Sequence, residues 1–300
     1  MSIIESVPNI SEGRRADVLE AVAAAVRASG PARLIDVSAD PDHNRAVLTL
    51  AGAPEDVRRA VEALVAACLE RIDLRRHRGG HPRMGAVDVI PFVPVRDATM
   101  DDCVGLARRT GEAIAARHGL PVYLYEHAAT APHRRNLADV RRGGFEGFAE
   151  KMRDPLWRPD FGPARVHPTA GCVAVGARPF LIAFNVNLAT ADLEIARAIA
   201  RAVRASSGGL PCVKAMGVLL QDRRQAQVSM NLTDFRVTPL RRAFDAVRQE
   251  AAGRGVDVAG SEIVGLVPEA ALFEDAEAIL RLEGFTPDRV LERRLAREAP

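Results

Sequence analysis

The 300-residue sequence is nearly without lysine: of 41 lysines and arginines, only Lys151 and Lys214 are lysine. Its cations are therefore planar guanidinium forks, which match carboxylates in two-point geometry. It also lacks any excess of one charge. The formal net charge is +2, with acids and bases mixed along the chain, which argues against the segregated basic face of a nucleic-acid binder. Cysteine is scarce, and Cys68, Cys103, Cys172 and Cys212 form no C-x-x-C pair. A disulfide framework or zinc knuckle is not expected, and a reduced, cytoplasmic compartment is. The N-terminus has no cationic start followed by an apolar core, so no signal peptide is expected. No apolar run approaches the ~20 residues that span a bilayer. Neither a P-loop nor a G-x-G-x-x-G fingerprint stands where a phosphate would need it. Small acidic molecules remain as ligands, with neither nucleic acid nor membrane as partner.

What is present suits a folded protein. Hydrophobic residues at 48% and charged residues at 27% exclude a disordered chain, and the length allows one large domain or two modest ones. Apolar periodicity predicts strands at residues 2–7, 34–37, 46–50, 87–95 and 122–125, and helices at 16–28, 54–72 and 100–118. Pro54 occupies a first-turn position that tolerates proline, and Gly119-Leu120-Pro121 stops the third helix. Residues 141–171 read as irregular, rich in glycine and proline, and a loop that long is usually functional or a linker. Strands are then expected at 180–187, 213–220, 226–232 and 256–264, with helices at 192–205 and 240–252. Both halves give the order β-α-β-β-α-β. The expected fold is α/β (α+β): two subdomains of ferredoxin-like topology, residues 1–178 and 179–300. Each would be a mixed or antiparallel sheet with helices on one face.

Three segments concentrate polar chemistry. Arg75-Arg76-His77-Arg78-Gly79-Gly80-His81-Pro82-Arg83-Met84-Gly85-Ala86 precedes an apolar strand. It reads either as a solvated basic loop or as a site in which one histidine, with an ordinary pKa near ~6.5, moves a proton. His77 and His81 have H-x-x-x-H spacing, but Pro82 and the glycines oppose the helix that metal ligation at this spacing needs, so no metal is expected. The segment from Asp36 to Arg45 reads as a turn or as a pocket rim. In the second reading carboxylates contact a cationic amidine and Arg45 a carboxylate, with Asp40, Asn44 and Arg45 as candidate substrate-binding residues. Asn185 and Asn187 alternate in an apolar strand, so they share one face. They read as a polar pocket wall or as a wetted sheet edge.

Several of these stretches carry a resemblance. Val7-Pro8-Asn9-Ile10-Ser11-Glu12-Gly13, Asp40-Pro41-Asp42-His43-Asn44-Arg45, His81-Pro82-Arg83-Met84-Gly85-Ala86, Pro121-Val122-Tyr123-Leu124-Tyr125 and Pro159-Asp160-Phe161-Gly162-Pro163 resemble motifs of the formimidoyltransferase family. So do the run from Gly176 to Asn187 and Gly260-Ser261-Glu262-Ile263-Val264-Gly265-Leu266-Val267-Pro268, and the match runs in order over nearly the whole chain. The resemblance implies transfer of a formimidoyl group between 5-formimidoyltetrahydrofolate and L-glutamate, a late step of histidine breakdown. It further implies tetrahydrofolate as the one-carbon carrier, no metal, and a homodimer of two-subdomain protomers. It assigns the catalytic histidine to His81. It assigns the folate-contacting loop to Gly162, Pro163, Ala164, Arg165, Val166, His167, Pro168, Thr169, Ala170 and Gly171. The chain departs from the family at Gly80, often glutamate there, and at Thr169-Ala170, where animal members have an aromatic residue. Transfer of formyl from 5-formyltetrahydrofolate and a non-catalytic folate-binding role stand as alternatives.

Overall fold

A computed structural model describes residues 2–80 and 82–297, and the chain divides into two units, Met1–Arg178 and Pro179–Pro300. In the first unit, β1 (Ile3–Ser6) and β2 (Asn9–Ile10) are one strand interrupted at Val7 and Pro8, where proline lacks the amide that a ladder needs. Then come α1 (Ala16–Ala28), β3 (Arg33–Asp40), β4 (Arg45–Gly52), α2 (Pro54–Arg71), β5 (Val87–Arg96), α3 (Met100–His118) and β6 (Val122–Glu126). Two short helices, α4 (Leu137–Arg141) and α5 (Gly144–Lys151), and the strand β7 (Val173–Ala177) complete it. Local chemistry sets the limits of α3. Thr99 and Asp102 form a reciprocal capping box, and Gly119 closes the far end in the left-handed region.

The strands form one sheet, with β3 beside β4, then the β1/β2 strand, β5, β7 and β6. Helix α1 joins β2 to β3 with β4 lying between them, and α2 joins β4 to β5 with the β1/β2 strand between. These antiparallel strands form the expected split β-α-β arrangement. Beyond β5 the sheet continues in parallel through β7 and β6. Strand β7 is not among the sequence expectations. All five of its residues are buried, so it lacks the alternation that betrays a half-exposed strand.

Helices α1, α2 and α3 cover one face over a core that includes Leu48, Leu64, Ile90, Phe92 and Leu124. The opposite face is covered as well at its β6–β7 end, beyond the one-sided cover expected from sequence. There Tyr123, Phe148, Met152 and Cys172 form a second small core. Phe148 meets the Tyr123 ring edge-on at 5.2 Å, which holds α5 despite its two glycines, Gly144 and Gly147.

The second unit contains β8 (Ile182–Leu188), α6 (Leu193–Val203), β9 (Val213–Leu220), β10 (Gln225–Leu232), α7 (Leu240–Ala252), β11 (Val258–Val264), α8 (Ala276–Leu280) and α9 (Leu291–Arg297). Its order is β11-β8-β10-β9, all antiparallel, so β10 lies between β8 and β9 and β8 between β10 and β11. The same split topology thus recurs. The hairpins correspond as well: β3–β4 and β9–β10 each pair two strands of 8 residues across residues 41–44 and 221–224. The last turn residue, Asn44 or Arg224, has positive φ in both. No described helix is long and apolar enough to cross a membrane.

Because Phe148 anchors the second core, Phe148→Ala should cost about 3–5 kcal/mol. Chemical denaturation monitored by far-UV circular dichroism measures this, and a loss under ~1 kcal/mol would show that α5 is held by other contacts.

Candidate active site

One strand irregularity organises the polar residues of the first unit. Asn9 pairs with Val89 but Ile10 pairs with Val87, so Asp88 is the extra residue of a bulge, and a bulge re-aims its side chain. Asp88 is fully buried. Its carboxylate accepts from the Met84 amide at 2.9 Å, from Arg45 Nη1 at 2.9 Å, and from Arg141 Nη2. Burial alone would raise its pKa; Arg141 and Arg45 reverse that and hold it below the usual carboxylate range. Arg45 also donates to Asn9 Oδ1 at 2.5 Å, which joins the first motif of the chain to the second.

The hairpin turn before Arg45 is held between two glycines. A Cβ on Gly13 would lie 2.4 Å from the Asp40 carbonyl oxygen, and one on Gly79 only 2.1 Å from that of His43. Asn44 links the three segments: its Oδ1 accepts from the Gly13 amide at 2.9 Å, and its Nδ2 donates to the Arg78 carbonyl at 3.0 Å. Asp40 accepts from the His43 amide at 2.8 Å and contacts His43 Nδ1 at 2.7 Å. Burial pushes the Asp40 pKa up, but these bonds outweigh it and the net shift is downward.

His81 lies outside the described residues. Its neighbours are pinned: the Gly80 amide donates to the Asp42 carbonyl at 3.2 Å, and Met84 is held through Asp88 as above. His77, the other half of the H-x-x-x-H pair, is buried with both ring nitrogens committed. Nε2 donates to the Asn44 carbonyl at 2.8 Å, because a carbonyl can only accept, and Nδ1 accepts from Arg83 Nε at 3.1 Å. Burial lowers its pKa, with Arg83 adding to the effect. His77 is a neutral strut and neither a base nor a ligand. Arg83 is equally occupied, since its other two nitrogens bridge Glu146 at 2.9 and 2.7 Å. A cleft of about 340 Å³ lies against Glu12, Arg14, Asn44, Arg76 and His77.

The segment beginning at Gly162 splits in two. Gly162 (φ 85°) fits against the Leu120 carbonyl, and the preceding motif is a fastener for β6. Asp160 accepts from the Leu124 amide at 2.8 Å and pairs with Arg134 at 2.6 Å. Pro163, Ala164, Arg165, Val166 and Pro168 are at least partly exposed. His167, Thr169, Ala170 and Gly171 form a closed turn in which the His167 and Gly171 amides and carbonyls exchange bonds at 3.1 and 3.0 Å. His167 Nδ1 accepts from the Ala170 amide at 3.1 Å. This turn is laced to the motif that contains His81: Ala86 donates to Ala170 at 2.9 Å, Cys172 to Met84 at 2.9 Å, and Leu74 to Thr169 at 2.8 Å.

In the second unit, β8 is a central strand, so Asn185 and Asn187 are not a wetted edge. Asn187 is fully buried and accepts from Gln227 at 2.9 Å; Asn185 donates to Glu262 at 2.9 Å. Sequence reasoning missed Asp88, Arg141, Glu146 and Gln227. Asp88 had left a sign, as a single acid within an apolar strand; Arg141 left none.

Two family models match the sequence, one over each unit. The model of the formiminotransferase domain, N-terminal subdomain, matches residues 3–178, and that of the formiminotransferase domain matches residues 183–288. The chain belongs to the formiminotransferase domain family. It is 46% identical over 283 residues to the glutamate formimidoyltransferase of Streptococcus pyogenes serotype M1, covering 94% of this chain and 95% of that one. It is also 46% identical over 301 residues to that of Thermoplasma acidophilum, covering 100% and 99%. The formimidoyltransferase-cyclodeaminase of Sus scrofa is 43% identical over 280 residues, which are 91% of this chain but 52% of the pig protein.

A buried neutral histidine gives a signed pH effect. The unfolded chain protonates His77 as pH falls below its ordinary value of ~6.5, while the depressed folded pKa delays this, so its stabilisation is present above ~6.5 and declines as pH falls. His77→Gln should cost about 1–3 kcal/mol near neutral pH. The gap to wild type should narrow as pH is lowered towards ~5. Urea unfolding across this range checks both; a gap that widens on acidification contradicts the neutral strut.

Proposed function

We propose that the chain is a glutamate formimidoyltransferase acting in histidine degradation. It moves the formimidoyl group between 5-formimidoyltetrahydrofolate and L-glutamate, with His81 as the proton-transfer group. The observation that carries this reading is the whole-length identity to proteins named for that activity. The polar cluster of the first unit is consistent with it, because it joins the His81 motif, the hairpin of Asp40, Asn44 and Arg45, and the turn ending at Gly171.

The amidine carbon on N5 of the folate is the electrophile. The glutamate amine attacks it only when unprotonated, so a base takes a proton as the C–N bond forms. The tetrahedral adduct then collapses: the bond from carbon to N5 breaks, and N5 receives a proton. In this reading His81 accepts the first proton and returns one to N5, help worth about 10²–10⁴ in rate. Orientation of the two substrates through their carboxylates supplies more. The Asp40 carboxylate contacts the amidine, Asn44 and Arg45 belong to the pocket rim, and the loop from Gly162 to Gly171 contacts the folate. Each of these roles belongs to the proposal, as do the cytoplasmic homodimer and the absence of a metal requirement. His77 cannot supply the missing nitrogen of a two-histidine metal site, since both its ring nitrogens are committed.

Two measurements test this. His81→Ala should lower kcat by about 10²–10⁴ with 5-formimidoyltetrahydrofolate while folate still binds. A variant with wild-type kcat removes His81 from the mechanism, and a wild-type enzyme that prefers 5-formyltetrahydrofolate replaces formimidoyl with formyl. Prolonged chelation should leave the rate unchanged, and a loss restored by added zinc would introduce a metal-assisted step.

A further inference from the structure

Arginine is the abundant cation of this chain, and most arginines around the cluster are already committed to the fold. Arg83 uses all three nitrogens on His77 and Glu146, Arg15 pairs with Glu12 at 2.5 Å, and Arg134 serves Asp160 and two carbonyls. Arg141 differs. Its Nη2 shares with Arg45 the single carboxylate of Asp88, and its buried Nε has no hydrogen-bond partner. A buried guanidinium nitrogen without an acceptor is costly. Two guanidiniums converging on one carboxylate also repel each other, and Arg141 contributes to lowering the pKa of Arg45 after burial itself. Both side chains keep 15% of their surface exposed.

The segment that delivers Arg141 is also held in an unusual way. Helix α4 has only five residues, too few to hold itself. Its end is fixed by Lys151, one of the two lysines. Lys151 Nζ donates to the carbonyls of Asp139 and Val140, each at 2.6 Å, and to that of Arg142 at 3.3 Å. These carbonyls flank Arg141, and a cation is favoured at a helix C-terminus. The ammonium also lies 3.7 Å from the Trp157 ring centroid, so the clamp is braced from its other side.

We propose that Arg141, presented beside Arg45 by the Lys151-clamped end of α4, binds a carboxylate of the substrate, and that this is a carboxylate of the L-glutamate acceptor. Asp88 is the positioning residue that sets the two forks side by side. The proposal rests on the formimidoyl-transfer reading, in which both substrates carry carboxylates: the acceptor itself and the glutamyl tail of the folate.

Equilibrium binding separates these sources without requiring turnover. Wild type, Arg141→Gln and Arg141→Lys are titrated with L-glutamate, with pteroylglutamate and with pteroate, which lacks the tail, while thermal melts confirm folding. Arg141→Gln should bind L-glutamate about 10- to 100-fold more weakly, and Arg141→Lys should recover part of that, since an ammonium keeps the charge and loses the fork. Pteroylglutamate and pteroate affinities should stay as in wild type. Weakened pteroylglutamate with unchanged pteroate and L-glutamate keeps the carboxylate subsite and moves it to the folate tail, which overturns the acceptor assignment. Unchanged affinity for all three overturns the subsite. If Arg141→Gln does not fold, Lys151→Met and Lys151→Arg carry the test. The first should raise KM for glutamate with little change in kcat, and the second should restore it; a KM unmoved in Lys151→Met overturns the clamp. A wild-type protein that binds pteroylglutamate but not L-glutamate rejects the transferase reading itself, together with the acceptor subsite built on it.

Discussion

A carboxylate with no exposure to water is the constraint from which the first unit takes its form. Asp88 cannot stay ionised in the interior without compensating partners, because desolvation costs several kcal/mol even after relaxation. The partners come from three places far apart in sequence: the Met84 amide, Arg45 at the start of β4, and Arg141 at the end of α4. The bulge in β5 turns the carboxylate towards them. Loss of any one partner leaves charge stranded, so the strand, the hairpin and the short helix are tied to a common point.

Around that point the polar residues divide into supports and groups still able to act. Arg83 and His77 support, with every nitrogen engaged, and Asp160 and Glu12 do the same at other places. Glu12 receives the amides of Arg14 and Arg15 at 2.9 and 3.0 Å at the entry to α1. Elimination of this kind is more informative than proximity. A motif rich in charged residues contributes few candidates once its hydrogen bonds are counted, and the remaining ones gain weight.

Much of the architecture was legible in the sequence. Helices α1, α3 and α7 and strand β9 occupy the residues that periodicity indicated; the three helices each bury one face, and α3 also carries a capping box and a glycine stop. Strand β7 and helix α5 were not legible. The first is buried on both sides and short, and the second is held by Phe148 against Tyr123 rather than by its own propensity. Of the site, the hairpin from Asp40 to Arg45 could be read as a turn or a rim; residues 41–44 form the turn, and Asn44 lines a cleft. His77 and His81 share H-x-x-x-H spacing; the family resemblance pointed to His81, and the hydrogen bonds of His77 show that its ring nitrogens are committed to the fold. Arg141 was invisible because its role depends on a contact across 53 positions.

The paired hairpins separate what a turn requires of its residues from what its neighbours require. Residues 41–44 and 221–224 trace the same turn, yet one is Pro-Asp-His-Asn and the other Gln-Asp-Arg-Arg. Asn44 sits at a left-handed position that asparagine tolerates well, whereas Arg224 holds the same position without that aptitude. The backbone path therefore does not demand asparagine. What singles out Asn44 is that its amide reaches two other stretches of chain at once. The second unit traces the same turn without that cross-link, so the asparagine at position 44 answers to the segments it ties together and not to the turn itself.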